Sequence, residues 1–445
     1  MIMSGRIFKA ALIVAALLSV SATAGAQAYS GFAPYSIFGI GDTFTQGTAY
    51  NRSMGGVGIA TRNNRFINPL NPAAVTARDS LAFMADYSVY MDNKIFAQGD
   101  MTTANNTFNI GDLIISFPIW GPSAMMVGIM PYSTTGYGYS FYYDDPSVIG
   151  STGNINYAAA GHGSIYKLFT AAGVTFWDKL SLGVEADYYF GNIAKEYLET
   201  FTNSSYNGMQ NGFNLQLTAF GAKAGVQYEQ KLGSRSKLTL GATYSLDSNL
   251  GGYVEGYKFS TGEASTDTLY YKVDTLSASS GRVKIAAELG IGVNFKYADK
   301  FSAEFNYTRS DWTSCGFAST AGFSANTVSR SGISSFGTTG SEAFRLGIEY
   351  VPNRNDIRYY FKRVTYRAGA YYKKDYFTVD GNGITSAGLT LGMTLPVFRW
   401  YNGLTLGLEL GQRGSIKNNL IRERYINFTV GMNIFDIWFQ HPKYE

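Results

Sequence analysis

The chain has 445 residues and a formal charge of +4, with 36 Lys and Arg against 32 Asp and Glu. A balance this even leaves no basic footprint for nucleic acid, and a single cysteine, Cys315, excludes a disulfide framework. Aromatics at 16%, 51 glycines and only 10 prolines suit a chain of strands and turns.

Residues 1–26 have the layout of a cleaved secretory peptide. Arg6 and Lys9 precede the apolar run Ala10–Val20, and Ala22-Thr23-Ala24 and Ala24-Gly25-Ala26 offer small residues for processing after Ala26. Its removal takes two positive charges and no acid, so +4 becomes +2. The apolar run is too short to span a bilayer, and no other stretch approaches about eighteen apolar residues. Membrane residence must therefore use strands.

Residues 27–79 follow no strand period. They contain Tyr35-Ser36-Ile37-Phe38-Gly39-Ile40-Gly41-Asp42, the turn Met54-Gly55-Gly56, and two similar triplets, Asn68-Pro69-Leu70 and Asn71-Pro72-Ala73. Glycines permit tight turns and prolines exclude regular ladders. Such a segment is expected to fold inside a lumen as a hatch, because a polar interior about fourteen strands wide is otherwise an open pore.

From residue 80 onward, apolar residues return at every second position. Leu404, Leu406, Leu408 and Leu410 alternate with Thr405, Gly407, Glu409 and Gly411. Successive strand side chains point to opposite faces, so one surface is apolar and the other polar. The same reading applies to Leu289-Ile291-Val293-Phe295 against Glu288-Gly290-Gly292-Asn294, and to Phe344-Leu346-Ile348 against Arg345-Gly347-Glu349. Candidate strands fall near 80–91, 107–119, 122–132, 163–177, 179–192, 213–229 and 237–249. A second set falls near 281–296, 300–312, 341–351, 361–373, 384–396, 402–413 and 421–433. That makes about fourteen, in the range of bacterial outer-membrane barrels. A charge on the lipid side costs about 2–4 kcal/mol at the midplane, so the polar faces are assigned to the lumen.

The connections alternate between long gaps (92–106, 133–162, 193–212, 250–280, 313–340) and short ones such as Trp120-Gly121, Asp178 and Ala298-Asp299. Long loops are external and short turns periplasmic in such barrels. Trp120, Trp177, Trp400 and Trp438 all fall at the short-turn side or the chain end, as an interfacial girdle requires. The expected organisation is a signal peptide (1–26), a hatch (27–79), an all-β transmembrane antiparallel up-and-down barrel (80–435) and a periplasmic tail (436–445). A Gram-negative outer membrane supplies its lipid.

On the Met54-Gly55-Gly56 turn, the Asn71-Pro72-Ala73 triplet, the fifty-residue segment before the first strand and the strand number, the chain resembles the long-chain fatty acid transporter family. Members are fourteen-stranded barrels plugged by a hatch with an Asn-Pro-Ala motif, and they pass hydrophobic molecules. The resemblance leaves open which Asn-Pro triplet corresponds to that motif. It implies lateral exit of ligand at a kinked third strand, where Gly128 and Pro131 stand in this chain. Proline lacks a ladder donor. Gly128 and Pro131 are the candidate gap, and the alternative is that Pro131 merely ends the strand.

Catalytic chemistry is thin. His162 and His441 are the only histidines, and His162-Gly163-Ser164 has no orienting third group. No cysteine–histidine cluster has metal-ligand spacing. Asp380-Gly381-Asn382-Gly383 lacks the later glutamate of a calcium loop and reads as a hairpin turn. Neither a cofactor nor an enzyme is expected. Mixed charges remain for the lumen. Their structural reading is a salt-bridge network, while Arg345, Arg367, Lys223 and Lys296 are candidates to line a ligand path. The expected function is passive uptake of small hydrophobic molecules such as long-chain fatty acids. The alternative is a docking or scaffold barrel in an outer-membrane secretion or assembly complex, partnered by other outer-membrane proteins.

Overall fold

The computed structural model describes residues 30–79, 81–143, 145–260, 269–276, 281–324, 327–329, 332–397 and 402–437. The expected signal peptide and the tail beyond Ile437, with Trp400, Trp438 and His441, lie outside the described residues.

Fourteen strands form one closed antiparallel wall. They are β1 (Ala82–Gln98), β2 (Met101–Pro118), β3 (Ser123–Tyr143), β4 (Ile155–Phe176), β5 (Leu180–Phe201) and β6 (Met209–Lys231). Next come β7 (Ser236–Ser245 continued by Ser248–Ser260) and β8 (Leu269–Leu276, Lys284–Ile285 and Glu288–Tyr297). The ring continues with β9 (Phe301–Asp311), β10 (Phe336–Thr338 continued by Gly340–Tyr350), β11 (Thr365–Val379) and β12 (Asn382–Pro396). It ends with β13 (Gly403–Arg413) and β14 (Arg422–Ile437), and β14 pairs back onto β1 from Ala82↔Ile437 to Ala97↔Arg422.

Every predicted strand has its counterpart, and the two-faced pattern has the predicted sense. Leu289, Ile291, Val293 and Phe295 are exposed on the outer face, while Asn294 between them is buried. Exposed apolar side chains in a belt around a closed ring match an acyl-chain solvent. Trp120 and Trp177 stand 70% and 82% exposed at the turns expected to be periplasmic. Asp380 and Gly381 have positive φ (49° and 75°) and close the β11–β12 hairpin, the geometry a two-residue turn requires.

The loops need correction. The 92–106 gap is a turn at Gly99-Asp100 between strands that stay paired out to Gln98↔Met101. The 193–212 gap shrinks likewise, because β5 and β6 remain in register out to Glu199↔Met209. Strands of about 9–11 residues cross a bilayer, so much of what reads as loop is ladder rising above it. There polar and apolar residues mix on both faces and the alternation lapses, although the inner face still buries Phe96 and Ile193, and backbone pairing goes on. The excursion after β9, by contrast, is long and folds inward, burying Trp312, Phe317 and Phe323.

The N-terminal segment is the least strand-like and the most buried part of the chain. It holds a four-residue helix (Ala49–Arg52) and two short 3-10 turns (Pro34–Ile37, Pro72–Thr76), and its apolar residues from Ala33 to Val75 are almost all inaccessible.

Candidate functional site

The N-terminal segment is held together by amides and fitted to the wall by glycines. Asn51 donates to Val57 O (2.9 Å) and accepts from Thr48 N (3.1 Å), closing the loop that contains Met54-Gly55-Gly56. Gly55 and Gly56 have φ of 73° and 76°, the left-handed region that glycine adopts without cost. Gly55 N donates to Thr390 Oγ1 (2.7 Å). The turn lies so close to β10 and β11 that a Cβ on Gly369 would strike the backbone of Met54 and Gly55.

The two Asn-Pro triplets do different work. Asn68 bonds inside the segment, donating to Gly58 O (2.6 Å). Asn71 reaches outward as well, donating to Ile59 O (2.8 Å) and to Val226 O on β6 (3.2 Å), while its Oδ1 accepts from Ala73 N (3.0 Å). Pro72 sits over Gly183 and Gly225, where the wall has no side chains.

Charged groups tie the segment and wall together in three places. On β10–β11, Arg367 pairs with Glu349 (3.0 Å), donates to Thr394 (2.7 Å) and lies over the rings of Tyr50 (4.3 Å) and Phe66 (4.8 Å). On β11–β14, Arg413 holds Asp375 (2.7 Å), Asp42 of the segment (3.0 Å) and Glu423 (3.6 Å). On β9, buried Glu304 accepts from Ala60 N (2.9 Å), from Asn294 (3.0 Å) and from the Thr61 hydroxyl. A fourth network is internal to the wall: Lys167 pairs with Glu185 (3.0 Å) and Asp187 (3.6 Å).

The external end is closed by aromatic packing, to which the excursion contributes Trp312, Phe317 and Phe323. Phe317 stacks on Phe323 (5.5 Å between centroids), Phe38 on Phe336 (5.0 Å), and Trp312 lies against Tyr376 (4.7 Å). Gly39 N donates to Phe323 O (2.9 Å), so excursion and N-terminal segment share a bond as well as a core. Cys315 is buried there, and burial pushes its thiol up to about 11.

On one side the wall is incomplete. β2 and β3 are paired only from Leu113↔Ile129 to Pro118↔Ala124. Above Leu113 they part, although β2 stays paired with β1 and β3 with β4. The N-terminal segment bridges this seam. Asp42 and Thr43 pair with Thr134 and Ser133 of β3. Ala33 N donates to Gly136 O (2.8 Å) and Gln46 to Pro131 O (3.1 Å). On the β2 side the links are sparse: Arg52 donates to Gly111 O (3.0 Å) and Asn109 to Ser30 O (2.9 Å).

Pro131 does not end β3, which runs on to Tyr143; the β3–β4 register slips at Tyr132 just after it. Gly128 lies lower, packed against Ile114 and Phe169. Of the candidate lining residues, Arg345 and Lys223 come together in a central cavity of about 170 Å³, with Phe44, Tyr132, Tyr189 and Glu288. Arg345 makes one long hydrogen bond there, to Thr308 (3.4 Å). Arg367 is instead engaged by Glu349, and Lys296 pairs with Asp299 (2.7 Å) at the periplasmic end. Exposed His162 is separated in role from Ser164, whose hydroxyl meets Ser30 and Thr134. Sequence reading missed Tyr50, Asn51, Arg52 and the inward excursion, although Trp312, Phe317 and Phe323 within a polar stretch were a visible signal.

A protein-family model described as BamG matches residues 7–445. No curated protein matches the chain. Among solved structures, the CymD monoaromatic hydrocarbon channel is similar at 12% identity and TM-score 0.58, over 89% of this chain and 98% of that one. The Pseudomonas putida toluene transporter TodX is similar at 13% identity and TM-score 0.57, over 90% of this chain and 100% of that one. A Pseudomonas aeruginosa FadL homologue gives 13% identity and TM-score 0.55 over 88% and 98%. At such identities these likenesses establish the fold.

Proposed function

The chain belongs to the BamG family, and on the fold it shares with hydrocarbon channels we propose that it is a passive outer-membrane conduit for small hydrophobic molecules. The N-terminal segment, residues 27–79, is the hatch. Ligand gathers among the external aromatics Tyr137, Tyr139, Phe141 and Tyr157, which pack on one another inside the rim. It displaces the aromatic closure, enters the central cavity and leaves sideways into the bilayer through the seam. Long-chain fatty acids are the narrower proposal, with Arg345 and Lys223 meeting the carboxylate. The seam carries this reading: above Leu113, among the described residues, the hatch alone joins β2 to β3, so movement of one segment opens the wall with no wall ladder to break.

The test is a tether. Ser30 and Ser164 touch through their hydroxyls, so the pair S30C/S164C fixes the hatch to β4 when oxidised. Uptake of toluene and of a long-chain fatty acid by cells should stop on oxidation and return on reduction. Uptake by the reduced form no greater than that of cells lacking the protein, or uptake that oxidation leaves unchanged, overturns the conduit.

A second reading has its own support. The hatch is gripped by buried ion pairs at Arg367 and Arg413 and capped by the inward excursion, as suits a permanent plug in a scaffold barrel. Stoichiometric copurification with other outer-membrane proteins, unchanged by the tether, would select it.

A further inference from the structure

The outer face of the barrel carries a feature that neither reading uses. Along β14 the outward side chains Ile426, Phe428, Val430, Met432 and Ile434 are exposed and apolar. At the external end of the same face stand Arg424 and, two residues on, Arg422. Beside Arg424 the outer surface is dented into a groove of about 710 Å³, whose lining includes Ile95, Ala104, Leu410, Gln412, Arg424 and Ile426. The dent has a cause in the ladder. β1 and β14 lose register pairing at Asp92 and Asn93, and Asn93 substitutes its side chain, donating to Ile426 O (2.9 Å).

Its electrostatics are one-sided. Among the described residues, no Asp or Glu lines the groove. Arg424 Nε donates to Gln412 Oε1 (3.3 Å), and Arg422 Nε is enclosed without a hydrogen-bond partner. Arg309, near the external end of β9, differs: Glu342 stands 3.9 Å away. A guanidinium pair above an apolar trough is the complement of an anionic amphiphile, because arginine forks onto phosphate oxygens while acyl chain covers the branched side chains. The external half of a Gram-negative outer membrane presents phosphorylated glycolipid to this face.

We propose that the groove between the β1–β2 hairpin and β13–β14 binds the phosphorylated head of an outer-leaflet glycolipid, with the phosphate on Arg422 and Arg424 and an acyl chain along Ile95, Leu410 and Ile426. The site is independent of hatch and seam.

Native mass spectrometry of the full chain, extracted from outer membranes and then titrated with lipid A or phosphatidylglycerol, tests it. Wild type and R309Q should retain lipid A. R422Q/R424Q should retain it about a hundredfold less, about a decade for the charge-assisted hydrogen bond of each arginine. Ala104→Trp, which fills the trough and keeps both arginines, should also abolish retention and covers the case in which the double variant does not fold. Retention by R422Q/R424Q or A104W equal to wild type overturns the site. Equal uptake of phosphatidylglycerol overturns the glycolipid and leaves a nonspecific anionic contact.

Discussion

The two sides of this barrel solve the same problem differently. From β4 to β6 the wall is one uninterrupted ladder, paired from Ile155↔Phe201 to Phe176↔Leu180 and onward to β6, and Asn71 and Pro72 rest on its glycines. Between β2 and β3 the ladder stops at Leu113↔Ile129, and the N-terminal segment substitutes for a wall neighbour with two registered pairs and a few side-chain bonds. A backbone ladder within a bilayer is costly to open because its donors and acceptors have no water to turn to. Bonds made by a movable segment are cheaper to exchange. The difference teaches where this barrel can give way.

The largest effect is expected where the segment is gripped by buried charge. Arg367→Ala leaves Glu349 without its cation and uncovers Tyr50 and Phe66. Breaking a buried pair on one side costs about 3–5 kcal/mol. Urea unfolding in lipid should show a destabilisation of that size. A change under about 1 kcal/mol would mean that Glu349 is hydrated, and that the grip at β10–β11 is no firmer than the seam.

Next comes a steric version. Gly369→Val drives a side chain into Met54 and Gly55, at about 1–3 kcal/mol for overpacking. The wall at that point is backbone held by its ladder, so the strain should be relieved by moving the segment. Planar-bilayer recordings should then show conductance that wild type lacks. A closed, less stable variant would place the weakness in the wall instead.

At the seam the stability effect should be smaller and the permeability effect larger. Arg52→Ala removes the donor to Gly111 O and the cation over Tyr90, worth about 1.5–3 kcal/mol if fully buried and less where water enters the gap. Entry of a hydrophobic dye should rise more than in Arg367→Ala for the same drop in stability. The reverse order would sink the contrast between the two sides.

Much of this was legible in the sequence. Fourteen strands follow from alternation, because lipid on one face and lumen on the other impose it on every crossing. The inward position of residues 30–79 follows from glycines and prolines that refuse a ladder. Strand ends were not legible, since above the bilayer both faces of β1–β2 and β5–β6 mix polar and apolar residues and the period fades while pairing goes on. Nor did the alternation mark the seam: only the resemblance pointed to the third strand, at Gly128 and Pro131, near where the β2–β3 pairing stops. The grip of Arg367 was hidden for a related reason. Its partner Glu349 is near in sequence, but the rings beneath it come from Tyr50 and Phe66, and only the closed fold brings them together.

The smallest perturbation reads the connection between segment and excursion. Cys315 is buried in the same core as Trp312 and Phe317, its thiol pushed up to about 11. Only the thiolate reacts readily, so maleimide labelling of wild type should be slow at neutral pH and rise steadily toward alkaline pH. Gly39 and Phe323 bond the segment to the excursion, whereas Gly369 meets the segment at Met54 and Gly55, on a different stretch of it. If the segment moves as a body, Gly369→Val should speed labelling of Cys315 several-fold with no change near the thiol itself. Unchanged labelling beside a new conductance would divide the segment into two independent parts, of which only the Met54–Gly56 turn faces the leak.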